Sequence, residues 1–490
     1  MVFVRKVKVG KSIAFQVGHK LHGRFVLDKH VGSAPLSSPH LIAVLNLKAQ
    51  SVLSEIKHHH QSPLFSVVSP PVTSATLKNW HITGFHCVFG FVYDQIGFPN
   101  TLLRDLVIGR IVYPKSKRAT FQYFNQYLGI NLAKDVVYRF LDSIEKELLV
   151  KTAYTFVSSR HQSITYILYD VTTLHFETNI EDDLRQKGFS KIHRHDLPQI
   201  LIGLFVDVNG YPFDFDVFPG STFEGHTLKT AVSHFVDKHP NTPLTVVADA
   251  GMLSHDNLDL LVALGVNYIV GARIKNLSAS QTSGLLCHNY PQNPIYSTPT
   301  SQGRLLVDYS SQRARKNKRD RERLIQKIQK EIDSHKPMVR KRKYLSFSST
   351  SKLAPHLDQE QVNKDVQFDG LKGYITSLNE IRPDEVIGYY KNLWKVEAAF
   401  RMSKSDLKER PVFHSKEKRI LAHLCICFVS LLVMIETERI LKTRSCSLQK
   451  AIQLLGRVGS GTAKIGNLEV PIDSDIDLPT QSILNLFEGH

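Results

Sequence analysis

Between residues 163 and 275 the chain alternates in a way that few architectures accommodate. An apolar run at 164–169 ends on Asp170. A second, at 200–206, leads into Asp207-Val208-Asn209-Gly210, and a third occupies 212–218. Asn-Gly between two strand-like runs is a strong hairpin signal, because both residues tolerate the positive φ of a two-residue turn. A helical pattern at 226–238, an apolar run at 244–248 ending on Asp249, a helix at 254–264 and a strand at 268–270 follow. Three strands, then helix and strand in alternation, predict a mixed α/β sheet.

The remainder organises around that core. At roughly 100–200 residues per domain, 490 residues suggest about three domains. Residues 1–60 read as a small β/helix segment, with strands at 3–9, 13–17 and 24–27 before a helix at 40–60. Residues 61–160 are predominantly helical; within 120–145 two helical patterns flank Gly129, which suits a helix-turn-helix and an ordinary helical hairpin equally. Residues 161–275 and 372–445 form the α/β domain, with a strand at 374–377 and a long helix at 383–406. Residues 276–371 are polar and interrupt it as an insertion, and 446–490 are a C-terminal tail. The apolar run 420–435 is broken by His423 and Ser430 and falls short of the ~20 residues a membrane span needs, so it predicts a buried helix and no membrane.

Charge narrows the partner. Lys and Arg number 62 against 45 Asp and Glu, a net +17. Residues 313–343 alone hold 14 Lys and Arg against 4 acids, a local +10 inside the insertion. Such a block points to a polyanion, nucleic acid first. Within it Leu324, Ile325, Ile328 and Ile332 form a narrow apolar stripe, which predicts a charged helix. Five Cys and a polar N-terminal stretch, Arg5-Lys6-Val7-Lys8, fit a reduced, cytoplasmic chain rather than a disulfide framework.

Three carboxylates carry the chemistry. Asp170 and Asp249 each close an apolar strand, and ligands of open α/β sheets bind beyond the carboxyl ends of strands. On neighbouring strands, ~4.8 Å apart, they would converge on one small volume and require a cation between them. Counting ~100° per residue along 383–406 puts Glu397 in the middle of an apolar stripe with Val386, Tyr390, Leu393, Phe400 and Lys404. A carboxylate so placed needs a partner or a metal. Hard oxygen ligands suit Mg²⁺ or Mn²⁺, and two such ions could activate an attacking oxygen and stabilise the leaving oxygen of a phosphodiester. Asp207, Asp214 and Asp216 read as hairpin and edge residues, His193 and His195 as loop residues, and Trp394 as core packing.

The blocks Tyr-Asp-Val-Thr-Thr-Leu-His-Phe (169–176), Gly-Phe-Ser-Lys (188–191), Asp-Leu-Pro-Gln (196–199), Val-Ala-Asp-Ala-Gly-Met-Leu (247–253) and Val-Glu-Ala-Ala-Phe-Arg-Met-Ser-Lys-Ser-Asp-Leu (396–407) occur in the order seen in a known family. Over roughly 160–435 the sequence resembles the DDE transposases of bacterial insertion sequences, specifically the insertion-sequence-4 type with a large insertion before the catalytic Glu. The resemblance implies a ribonuclease-H-like mixed sheet core, a mostly helical N-terminal DNA-binding region, and Asp170, Asp249 and Glu397 as catalytic and metal-binding triad for two Mg²⁺ (or Mn²⁺). The family's Tyr-x2-Arg-x3-Glu-x6-Lys signature is matched at Tyr390, Glu397 and Lys404, with Leu393 at the Arg position. Lys404 inherits a DNA-phosphate role, Arg401 is a candidate substitute for the missing Arg, and Arg340, Lys341, Arg342 and Lys343 are candidate DNA contacts. The insertion is expected to hold a β-rich element touching DNA, with Tyr290, Tyr296, Tyr344 and Phe347 available to stack on an unpaired base.

The expected activity is that of a DNA transposase. It would bind the terminal inverted repeats through the helical region and the insertion, cleave the ends hydrolytically, and join the freed 3′-OH to target DNA. A homodimer is expected in the synapse. The alternatives are a ribonuclease-H-like nuclease without strand transfer and an inactive DNA-binding derivative.

Overall fold

The computed structural model describes the chain apart from residues 1, 22, 61–74, 162–163, 190–195, 241, 253, 335–342, 348–354, 411, 413, 466–467 and 488–490. It divides into two compact units, Met1–Thr76 with Lys464–Glu469, and Leu77–Ala463 with Val470–His490.

The first unit is an antiparallel meander of Val2–Val9, Ser12–Leu21 and Arg24–Pro35. The helix Pro39–His60 packs on it and closes a small core of Phe15, Val17, Ala49 and Val52.

The second unit is built on an eight-stranded sheet. Its strands are β1 (Tyr166–His175), β2 (Gln199–Asp207), β3 (Pro212–Pro219), β4 (Thr245–Ala248), β5 (Asn267–Ala272), β6 (Ile295–Thr300), β7 (Gly303–Tyr309) and β8 (Leu371–Thr376). The spatial order is β6-β7-β8-β5-β4-β1-β2-β3. β1, β2 and β3 are antiparallel, whereas β4 and β5 run parallel to β1. The β3-β2-β1-β4-β5 arrangement is a mixed sheet that fits the core expected from the sequence. In the β2–β3 turn Gly210 alone of the Asn-Gly pair takes a positive φ, +100°, and the hairpin is bulged at Phe205/Val206 rather than closed by a two-residue turn.

Helices α1 (Glu224–Lys238) and α2 (His255–Ala263) connect β3 to β4 and β4 to β5. α1 covers one face, where the buried Tyr169 hydroxyl donates to Thr227 Oγ1 (3.0 Å). On the basic segment, α3 (Ser311–Asp333) leaves the end of β7 as a 23-residue helix capped by Ser310. After β8 come α4 (Pro383–Lys391), α5 (Trp394–Ser405) and α6 (Glu417–Leu441). α5 lies on β1 and β2, and α6 packs beneath it against β3 and the helices Phe91–Ile96, Thr101–Val112 and Lys146–His161. The apolar run 420–435 is therefore a core helix, with 89% of its most apolar window buried.

Three expectations need correction. The strand carrying Asp170 does not stop there, because the β-branched Val171-Thr172-Thr173 continues it to His175 along β2. The helix expected over 383–406 is two helices: Asn392 and Leu393 bond three residues back, to Tyr389 and Tyr390, in a tightened turn. The insertion is not chiefly β. Its hairpin β6–β7 is annexed by the main sheet through β8, and α3 dominates the rest beside a two-stranded pair, Leu345–Phe347 with Pro355–Leu357.

Candidate functional site

The parallel register of β1 and β4 sets the position of the two aspartates. Tyr169 is opposite Ala248, the last residue of β4, so Asp170 and Asp249 each follow a paired position on adjacent strands. Side chains alternate along a strand, so with Tyr169 turned to α1, Asp170 and Thr172 project to the other face, where α5 lies. Asp170 is half-buried and accepts from the Val171 amide (2.8 Å). Asp249 is exposed and accepts from the Ala250 amide (2.6 Å).

α5 runs along β1 in the same direction. Near its start the Lys395 ammonium bonds the Val208 carbonyl, and near its end the Lys404 ammonium bonds Thr172 Oγ1. Those contacts bracket Asp170. Seven residues separate Glu397 from Lys404, nearly two turns, so they share a helix face. That face is not the apolar one: Val396, Ala399, Phe400 and Ser403 are buried, while Glu397 is exposed. The tightened turn at Asn392 advances the helix phase, which carries Glu397 from the stripe to its shoulder. Trp394, expected in the core, is 60% exposed for the same reason. Leu393, at the position where the resemblance calls for Arg, is buried in that turn.

Tyr390 ties α4 to the second aspartate: its hydroxyl donates to Asp249 Oδ1 at 3.3 Å. Burial, then the Asp249 charge and hydrogen bond, push the phenol well above its usual range, with Tyr374 and Glu397 adding to the shift. Tyr390 meets Tyr374 edge-on (4.8 Å between centroids) and carries the Lys372 ammonium 4.6 Å above its ring. Lys372 is held below the ordinary lysine range by desolvation and by Arg313, against the pull of Asp249, Asp308 and Glu397. Arg313 in turn is paired with Asp308 (3.0 Å), which also accepts from Tyr374 (3.2 Å). Lys372, Tyr374, Asp308 and Arg313 were not legible as site neighbours, since no local spacing links them to either aspartate.

The other candidates scatter. Arg401 is exposed on α5. Lys343 pairs with Asp365 (2.9 Å), and Arg340, Lys341 and Arg342 lie outside the described residues, as do His193 and His195. Tyr344 is buried and donates to Asp365 (2.6 Å), which removes it from the stacking candidates; Tyr290 and Tyr296 are half-buried, and the Phe347 side chain is outside the described set. Asp207 caps the β2–β3 turn through the Asn209 and Tyr211 amides, and Asp216 pairs with Lys146. Asp214 is buried, and burial pushes its carboxyl up to about 6.

Among the described residues no three His, Cys, Asp or Glu side chains gather closely enough to hold one ion. Two adjacent carboxylates still form a donor set that Mg²⁺ accepts, because it keeps several waters and takes its other ligands from substrate phosphates. The arrangement can hold a divalent ion between β1 and β4, with the Tyr390 hydroxyl fixing one Asp249 oxygen and Lys404 at Thr172, two residues along β1 from Asp170.

Residues 162–433 match the family described as transposase DDE domain. No curated protein matches the chain. Among solved structures it is similar to a cryo-EM structure of the piggyBac transposase synaptic complex with hairpin DNA, at 10% identity over 76% of each chain and a TM-score of 0.39. It is also similar to the Mos1 transposase paired-end complex with left transposon end, at 11% identity over 31% of this chain and 50% of that one, with a TM-score of 0.16.

Proposed function

The chain belongs to the transposase DDE-domain family and is a metal-dependent DDE transposase, and we propose that it acts on an insertion sequence of the insertion-sequence-4 type, cutting its ends and joining them to new DNA. The observation that carries this reading is the register of Asp170 and Asp249 on adjacent parallel strands, with Tyr390 bonded to Asp249 and Lys404 to Thr172.

In this reading Asp170, Asp249 and Glu397 are the catalytic carboxylates, and Asp170 with Asp249 would hold Mg²⁺ or Mn²⁺. The metal supplies charge neutralisation at the phosphate and lowers the cost of deprotonating the attacking oxygen. Tyr390 fixes the Asp249 carboxylate by donating to one oxygen. Lys404 sits where it can bind a non-bridging phosphate oxygen next to Asp170. Water attacks the phosphorus, the P–O3′ bond breaks, and the leaving 3′ oxygen takes a proton. That 3′-OH then attacks a target phosphodiester and displaces its 3′ oxygen. Positioning and charge neutralisation account for most of the acceleration. The helices between residues 86 and 161 bind the terminal inverted repeats, and two copies of the chain hold two ends in the cytoplasm.

Inverted repeats are expected to bracket the reading frame, and sequencing the flanking DNA would supply the substrate. Asp249→Asn should abolish Mg²⁺-dependent cleavage while end binding persists; surviving cleavage would remove Asp249 from the triad. Pre-cut ends incubated with a target plasmid should yield joined product, and nicking without joining would reduce the activity to that of a nuclease.

A further inference from the structure

α3 carries two faces of opposite character. Leu324, Ile325, Ile328 and Ile332 turn inward, where Ile328 is buried against Tyr344, Leu345 and Val362. Arg321, on the same side, is locked to Asp369 by two hydrogen bonds (2.6 and 2.7 Å). At ~100° per residue the opposite crest collects Arg315, Lys316, Arg319, Arg323, Lys327 and Lys330 within a stripe ~120° wide. All six are exposed, and none forms an ion pair with a described residue. At 1.5 Å per residue the crest is ~22 Å long.

The root of this crest adjoins the candidate site. In the first turn Arg313 grips Asp308, Asp308 takes the Tyr374 hydroxyl, Tyr374 packs on Tyr390, and Tyr390 donates to Asp249. A concavity of about 970 Å³ opens there, lined by Ser310, Arg313, Arg315, Lys316 and Arg319 among others. The cations thus begin one turn from a side-chain chain that ends on Asp249 and continue along α3.

We propose that this crest is a rail for one phosphate strand of the target duplex as it approaches the site. The inference rests on the strand-transfer reading above. The flanks exclude the alternative of a helix sunk in a groove: Glu322 and Asp320 lie ~80° to either side of the crest, and phosphates on both walls of a groove would meet them. Only the crest can be presented to a backbone, so the contact neutralises phosphates without reading bases. Sequence-blind binding is what target DNA needs, whereas the element's ends must be told apart by sequence. The excess charge of the insertion therefore serves capture of the insertion site.

The test uses the full chain with the quadruple substitution Arg315→Gln, Arg319→Gln, Arg323→Gln and Lys327→Gln, which keeps good helix formers on an exposed face. Binding to a random-sequence duplex is measured across a salt series. Each lost phosphate contact should flatten the log K–log salt slope by ~0.9, so the variant should lose about 3–4 from it. Joining of pre-cut ends should fall and recover at higher target concentration, and cleavage of uncut ends should fall far less. An unchanged slope on random duplex overturns the rail, and an equal loss in binding of end DNA reassigns it away from the target. If the parent chain joins nothing, the strand-transfer reading fails while the random-duplex slope still decides whether the crest binds phosphates.

Discussion

Replacing Tyr390 by Phe isolates one atom of the candidate site. The ring stays, and with it the edge-on contact to Tyr374 at 4.8 Å and the seat of the Lys372 ammonium at 4.6 Å. What is lost is the hydroxyl that donates to Asp249 Oδ1. Because the phenol is pushed above its usual range, it remains a donor throughout neutral pH. A hydrogen bond to a charged group contributes about 1.5–3 kcal/mol. At 3.3 Å this one belongs at the low end, and ~1.4 kcal/mol is tenfold in rate. Single-turnover cleavage of end DNA should therefore slow about tenfold and require more Mg²⁺ for half-maximal rate. Thermal stability should hardly move, since the orphaned Asp249 is exposed and water replaces the donor. Cleavage at the parental rate with parental Mg²⁺ dependence would refute the positioning role. A matching drop in melting temperature would make the hydroxyl structural instead.

Two further perturbations probe other parts of the same unit. Lys404→Met removes the ammonium beside Thr172, and a lost charge-assisted contact of about 1.5–3 kcal/mol predicts a ~10–100-fold fall in cleavage with the folded state intact, read by kinetics beside a melting curve. Lys117 is buried at 6% exposure, and burial with the nearby Arg110 lowers its ammonium to about 7 from 10.5. Between those values the unfolded chain binds the extra proton, so stability should rise as pH climbs from 7 toward 10.5. Lys117→Met should flatten that slope and raise the melting temperature at neutral pH; a steeper slope or a lower melting temperature would show that the charge is satisfied.

The sheet was legible because its strands are local and apolar. Asn209-Gly210 announced the β2–β3 hairpin, and the runs ending at Asp170 and Asp249 announced β1 and β4 as possible neighbours. Their parallel pairing is a tertiary fact, and only the register of Tyr169 with Ala248 sets the two carboxylates side by side. Glu397 lies off the stripe that one continuous helix over 383–406 predicts, because the tightened turn at Asn392 resets the phase. Trp394 and Glu397 moved outward together for that single reason. β6 and β7 read as part of a polar insertion because Ser297, Thr298, Thr300, Ser301, Gln302 and Arg304 dominate the hairpin; their membership in the sheet depends on β8, more than 60 residues later in the chain. The network from Arg313 to Asp249 joins four elements, and pairings of that range leave no spacing to read.

α6 has a consequence for how the chain is made. Taken alone, it is long and apolar enough to enter a lipid bilayer. Most of its surroundings in the folded unit, the helices Phe91–Ile96, Thr101–Val112 and Lys146–His161 and the strand β3, precede it in the sequence, and the helix Leu448–Leu455 follows it. During synthesis these surfaces leave the ribosome first, at ~5–20 residues per second. The greasiest segment thus emerges after most of the surfaces that cover it. A circular permutation that put residues 417–441 ahead of 91–219 would keep every native contact yet expose the helix while it waits for its partners, so misinsertion and aggregation should rise although the finished fold is unchanged.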